Sequence, residues 1–121
     1  MSVVVAYGTT VESEAALTRA ADEAALRNRP LHVLVTDAGM DPATARSRLR
    51  REGRRPSELV VHRLPEHQNP ANAVLDLAAQ LEAEIIVIGT RRRSPVGKLL
   101  LGSLAQEILL GADMPVLLVK P

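Results

Sequence analysis

The chain contains no cysteine. Disulfides, thiol nucleophiles and thiolate metal sites are therefore excluded together. Aromatic residues are nearly as scarce: Tyr7 stands alone, with no phenylalanine and no tryptophan. Proteins that hold single-stranded nucleic acid stack successive bases on aromatic side chains, a platform this sequence cannot build, so a nucleic-acid partner is not expected. Of the 15 basic residues only Lys98 and Lys120 are lysine, and the rest are arginine. A net charge of +1 does not by itself argue for nucleic acid or a membrane surface. No apolar run approaches the roughly 18 to 20 residues of a membrane span, and the short stretch from Met1 to Tyr7 lacks the basic start and the length of a signal peptide. The expected location is the cytoplasm.

What is present describes an ordinary globular protein. With 46% hydrophobic and 24% charged residues, the 121-residue chain suits one domain spanning residues 1–121 and is not disordered or collagen-like. Val3 to Tyr7 is a continuous, β-branched apolar run ending in Gly8-Thr9-Thr10, which predicts a buried strand and a turn. Thr9 and Glu12 match a capping box, and Ala16, Leu17, Ala20, Ala21 and Ala24 recur at helical spacing, predicting a helix from about Thr10 to Asn28 that Pro30 stops. Leu31 to Thr36 reads as a second strand. A short helix over Pro42 to Glu52 follows with Asp41 as its cap, Glu58 to Leu64 is a third strand, and Asn69-Pro70 opens a helix with Ala71, Val74, Leu75, Ala78 and Leu81 inward. Glu84 to Gly89 is the fourth strand. Ser103 to Gln106 forms another capping box, opening a helix with Leu104, Ile108 and Leu109 on one side that Gly111 closes, before a fifth strand at Pro115 to Lys120.

Continuously apolar strands alternating with helices predict a doubly wound, five-stranded parallel sheet with helices on both faces. In such sheets ligands bind beyond the carboxyl ends of the strands, where the strand order reverses, so the turns after Tyr7 and Gly89 are the candidate site. The segment from Gly89 to Ser103 joins a strand to a helix, and Gly102 and Ser103 stand where the unpaired N–H groups of a helix start would receive an anion. Gly97-Lys98 does not make a P-loop, because Arg92 and Leu99 hold the positions where that loop needs glycine and a hydroxyl residue. The dinucleotide fingerprint is missing after both candidate strands.

Gly89, followed thirteen residues later by Gly102-Ser103, resembles the signature of the universal stress protein family. VVVAYGTTVESEAAL is similar to that family's first strand and helix, NPANAVLDLAAQLEAEIIVIG to its third helix and fourth strand, and ADMPVLLVK to its last strand. The resemblance implies strand order 3-2-1-4-5, an adenine nucleotide alpha hydrolase-like fold, and binding of ATP or AMP in the loops after strands one and four. It also implies an abbreviated helix between strands two and three, where this chain is shorter than is typical. Residue by residue, it assigns Gly89, Gly102 and Ser103 to the phosphates, with backbone groups around Ala6, Gly8 and Val35 at the adenine. Two positions depart from the pattern. Arg92 replaces the middle glycine: either it obstructs the close backbone approach that glycine allows, or its guanidinium, with Arg91, Arg93 and Lys98 nearby, offers a bidentate phosphate contact in place of backbone N–H groups. Gly8 stands where ATP-binding members usually carry an aspartate that reads the adenine and ribose.

No residues form a convincing catalytic set. His32, His62 and His67 lack an evident nucleophile or metal partner, and the receiver-domain alternative fails because Leu64-Pro65-Glu66 offers no phosphorylatable aspartate after strand three. The chain is therefore expected not to be an enzyme, with Asp37 the one nearby carboxylate for a nucleotide-borne Mg2+. Val116, Leu117, Leu118 and Val119 form an apolar edge strand that a two-fold dimer would cover, and the family resemblance implies the same dimer. Two readings stand side by side: a regulatory homodimer that binds an adenine nucleotide, and a nucleotide-free dimeric interaction module. The run of arginines from Arg46 to Arg55 reads chiefly as a solvated face.

Overall fold

The computed structural model describes residues 1–91 and 101–121. Along the chain run β1 (Val3–Tyr7), α1 (Val11–Arg27), β2 (Leu31–Val35), α2 (Ala43–Arg51), β3 (Leu59–Arg63), α3 (Pro70–Gln80), β4 (Ile85–Gly89), α4 (Ser103–Gly111) and β5 (Val116–Val119). The strands pair in parallel in the order β3-β2-β1-β4-β5. Strand order therefore reverses between β1 and β4. Every residue of β1 is buried because the strand is central and covered on both faces. Val3, Val5 and Tyr7 face a core layer built with α1 and α2, whereas Val4 and Ala6 face a second layer built with α3 and α4. The five residues read as the inward stripe of α1 are its buried ones, and four of them are alanine, which lets the helix lie close to the sheet.

Several helix ends differ from the sequence reading, each for a local reason. In α1 the cap is Thr10 rather than Thr9. Its Oγ1 accepts from the Ser13 N–H at 3.2 Å, so the Thr9–Glu12 box does not form. The helix stops at Arg27 because Asn28 adopts a left-handed conformation (φ 53°), before Pro30 is reached. Pro42 holds the cap position of α2, but Asp41 still serves it from one residue out, accepting from the Ala43 N–H at 2.9 Å. Asn69 caps α3 as expected, with Pro70 at the first helical position. In α4 the cap is Gly102, and Ser103 is the first helical residue. Ile108 faces the core as expected, but Leu109, also expected inward, is 44% exposed, and Ala105 is buried in its place. Gly111 is the last helical residue of α4, and a side chain there would come within 2.7 Å of Leu75 Cδ1, so the glycine lets α3 and α4 approach closely. Among the described residues no helix is long and apolar enough to cross a membrane.

Candidate functional site

At the carboxyl ends of β1 and β4 the structure opens a cleft of about 500 Å³. Parallel strands splay their following loops apart where the order reverses, so the cleft lies between the loop after β1 and the start of α4. Ala6, Gly8, Gly89, Gly102 and Ser103 all line it. Val35 does not: it is buried within β2, and Thr36 and Asp37, just beyond that strand, line the cleft in its place. Arg92, together with Arg93 and Lys98, lies outside the described residues.

The two motif glycines do different work. A side chain at Gly89 would collide with the carbonyl group of Glu12 in the first turn of α1, so this glycine lets the end of β4 pass beneath the helix. At Gly102 an added Cβ would meet the Arg91 guanidinium, with Nε at 3.3 Å. The start of α4 therefore carries an arginine beside it. Gly102 supplies no side chain to cap the helix, and among the described residues no side chain caps its first-turn N–H groups. Arg91 and the partial positive charge of the helix start combine into one anion-receptive corner.

Gly8 lines the cleft, but both of its backbone polar groups are already used. Its N–H donates to Ser13 Oγ at 2.8 Å, and the same hydroxyl donates back to the Gly8 carbonyl at 2.8 Å. Thr36 Oγ1 donates to the Tyr7 carbonyl at 3.3 Å, fastening the loop after β2 to the end of β1. Ser13, Thr36 and Glu12 were missed as lining residues in the sequence reading, although each falls within a few residues of a central strand's carboxyl end. Asp37 Oδ1 accepts from the Gly39 N–H at 2.9 Å. The cleft lining thus includes two carboxylate residues, Glu12 and Asp37, as well as Arg91 and the α4 start. Among the described residues no three acidic or histidine side chains gather to hold a metal. Donors of this kind do not form a protein cage for Mg2+; one or two carboxylates suit an ion carried by phosphates.

Among the described residues no histidine lines the cleft. His32 and His62, on neighbouring strands, instead partner each other, with Nδ1 and Nε2 2.9 Å apart and ring planes inclined by 21°. Burial holds both imidazoles below the ordinary histidine range, and for His32 the neighbouring His62 adds to the depression while Glu58 opposes it. Burial likewise raises Tyr7.

β5 contributes to both core layers, Leu117 and Val119 to one and Val116 and Leu118 to the other. Its backbone is less enclosed. Ile86 and Thr90 take the carbonyls of Pro115 and Val119, so the Val116 and Leu118 backbone groups point to the open edge of the sheet.

A parallel α/β sheet with a cleft at its topological switch point defines a doubly wound domain with a candidate ligand site. Comparison with known proteins names the family. The family model described as the universal stress protein family matches residues 1–120. A universal stress protein of Mycolicibacterium smegmatis is 38% identical over 134 aligned residues, covering 98% of this chain and 97% of the relative. The structure of a universal stress protein from Archaeoglobus fulgidus matches with a TM-score of 0.80 and 34% identity, over 99% of this chain and 98% of that one. A second structure, of the universal stress protein from the same organism in complex with dAMP, matches with a TM-score of 0.75 and 29% identity, over 99% and 98% of the two chains. The chain belongs to the universal stress protein family.

Proposed function

We propose that this chain is a regulatory universal stress protein that binds an adenine nucleotide in the cleft between β1 and β4. One observation carries the reading: the start of α4, which no side chain among the described residues caps, and the Arg91 guanidinium meet at the topological switch point, where a phosphate would satisfy both. The dAMP complex of the Archaeoglobus fulgidus protein supports it from outside. In this reading Gly102 and Ser103 hold phosphate through backbone N–H groups and Arg91 and Arg92 through guanidinium. The nucleoside lies toward Ala6, Leu64 and Thr36, with Asp37 offering the acceptor that an aspartate at position 8 would otherwise supply. Gly89 and Gly8 shape the wall, and Val35 supports it from beneath. The role is regulatory rather than catalytic, and the protein acts in the cytoplasm as a homodimer paired through the β5 edge. Any Mg2+ arrives with the phosphates.

Calorimetric titration of nucleotide-stripped protein with ATP, AMP and cyclic AMP, with and without Mg2+, tests this directly. Saturable binding of one of them is expected, and Gly102→Val abolishes it while leaving the fold intact. The Gly102 backbone (φ −70°, ψ 167°) is one that valine adopts freely, so only the branched side chain against Arg91 and the helix start is altered. Arg92→Gly weakens binding if the arginine holds phosphate. Silence with all three nucleotides from folded protein, or an unchanged affinity in Gly102→Val, overturns the assignment and leaves the nucleotide-free interaction module.

A further inference from the structure

The structure divides the six arginines of α2 and the loop after it. Arg48 lies 3.3 Å from Glu14 and 3.4 Å from Glu52, and Arg54 makes a two-pronged contact with Asp22 at 3.0 and 3.3 Å. Arg46, Arg50, Arg51 and Arg55 form no ion pair, and all 14 acidic residues of the chain are among those described. Arg46, Arg50 and Arg55, with Arg54 beside them, surround a groove of about 450 Å³ whose accessible apolar lining is Pro56 and Leu59, above the buried Leu49. The helix dipole accounts for cations in the last turn of α2, at Arg50 and Arg51. It does not account for Arg46 near the other end or Arg55 outside the helix. Arg46 and Arg50, four apart on one helix face, repel each other, so the fold carries this cluster at a cost.

The wall of the groove opposite α2 is β3, an edge of the sheet. Leu31 donates to the Glu58 carbonyl at 2.8 Å, and this register turns the backbone of Val60 and His62 toward β2 while that of Leu59, Val61 and Arg63 faces outward. Arg46 Nη2 reaches over this edge to the Leu59 carbonyl at 3.0 Å. The guanidinium cluster, the aliphatic floor and the open backbone edge therefore lie side by side. They sit at the start of β3, at the opposite end of the sheet from the nucleotide cleft.

We infer that this groove docks an acidic, extended polypeptide segment, with its carboxylates on Arg46, Arg50 and Arg55 and its apolar side chains on Pro56 and Leu59. Charge complementarity selects the acidic partner. The aliphatic floor and the outward backbone groups of β3 favour a peptide, which can use both, over a nucleic acid, for which the groove has no aromatic platform.

The test is fluorescence anisotropy of the full chain with a labelled peptide of alternating glutamate and leucine, a lysine–leucine peptide, and oligo(dT) of matched charge. The acidic peptide binds, its affinity falls as salt rises, and the charge reversal Arg50→Glu with Arg55→Glu weakens it about tenfold or more. Both side chains are exposed, so the fold and the nucleotide affinity stay as in the parent, with only the small loss of thermal stability that a reversed charge at the end of α2 brings. If the double reversal disturbs folding, Arg55→Gln alone still weakens the peptide and leaves the lysine–leucine control unchanged. No binding of the acidic peptide, equal binding by the variants, or tighter binding of oligo(dT) each overturns the inference.

Discussion

Replacing Gly89 by alanine isolates what this glycine does for the fold. The new Cβ would fall on the Glu12 carbonyl oxygen, 2.5 Å from its carbon and 2.8 Å from Glu12 Cβ. These atoms belong to the first turn of α1 and cannot rotate aside as a side-chain tip would. Relief requires the start of α1 to lift from the end of β4, loosening the layer in which Ala16, Leu17 and Ala20 pack on the sheet. Overpacking of this kind costs typically about 1–3 kcal/mol, and a rigid backbone neighbour places Gly89→Ala near the upper end, about 3 kcal/mol. At roughly 4 °C per kcal/mol for a chain of this length, the thermal midpoint drops by roughly 12 °C. Gly102→Ala is the matched control: its Cβ meets only the flexible Arg91 side chain, and losing glycine at a cap costs about 0.5 kcal/mol. Urea unfolding followed by far-UV circular dichroism measures both, since Tyr7 alone gives little fluorescence to follow. A stability for Gly89→Ala within about 0.5 kcal/mol of the parent would refute the close-approach reasoning.

Ser13→Ala removes the hydroxyl that both accepts from and donates to Gly8, and should cost about 1–2 kcal/mol with faster amide exchange at Gly8; an unchanged exchange rate argues against the lock. His32 and His62 should each titrate below the ordinary histidine value in NMR. Because the folded state favours the neutral rings, their contribution to stability is complete above the unfolded value near 6.5 and falls away as pH drops through their lowered folded values. His62→Ala should raise the pKa of His32 by removing its neighbour; a further fall in His32 would contradict this. Leu118→Pro removes an N–H that points to the open edge of β5 and leaves the pairing with β4 in place, so it should yield folded monomer in sedimentation experiments. A dimer that survives this change does not pair through that edge.

Helix interiors were more legible in the sequence than helix ends. Apolar spacing in α1 identified its buried residues because five small or aliphatic side chains repeat along one face, a local property of the chain. The caps of α1 and α4 slipped by one residue because Thr9 and Thr10, and Gly102 and Ser103, are adjacent residues that both suit a helix start. In the candidate site, Gly89, Gly102 and Ser103 were visible as a strand–loop–helix spacing, and the structure places all three at the cleft. Thr36 reaches the cleft from the loop after another strand, Ser13 from the first turn of α1, and Arg91 because the two ends of the connection between β4 and α4 meet, none of which the local sequence pattern records.

The sequence by itself determined the order of the elements, the apolar faces, the missing thiol and aromatic chemistry, and the family, since each is carried by neighbouring residues or by composition. Only the tertiary structure decided that Gly89 is required by the Glu12 backbone while Gly102 faces an arginine. It also decided that His32 and His62 are partners, and that some arginines of the α2 region are neutralised while others ring an open groove. Several of these outcomes rest on groups 30 or more residues apart, such as His32 with His62 and Arg54 with Asp22. Their distances are fixed only when the parallel sheet sets the register of its strands.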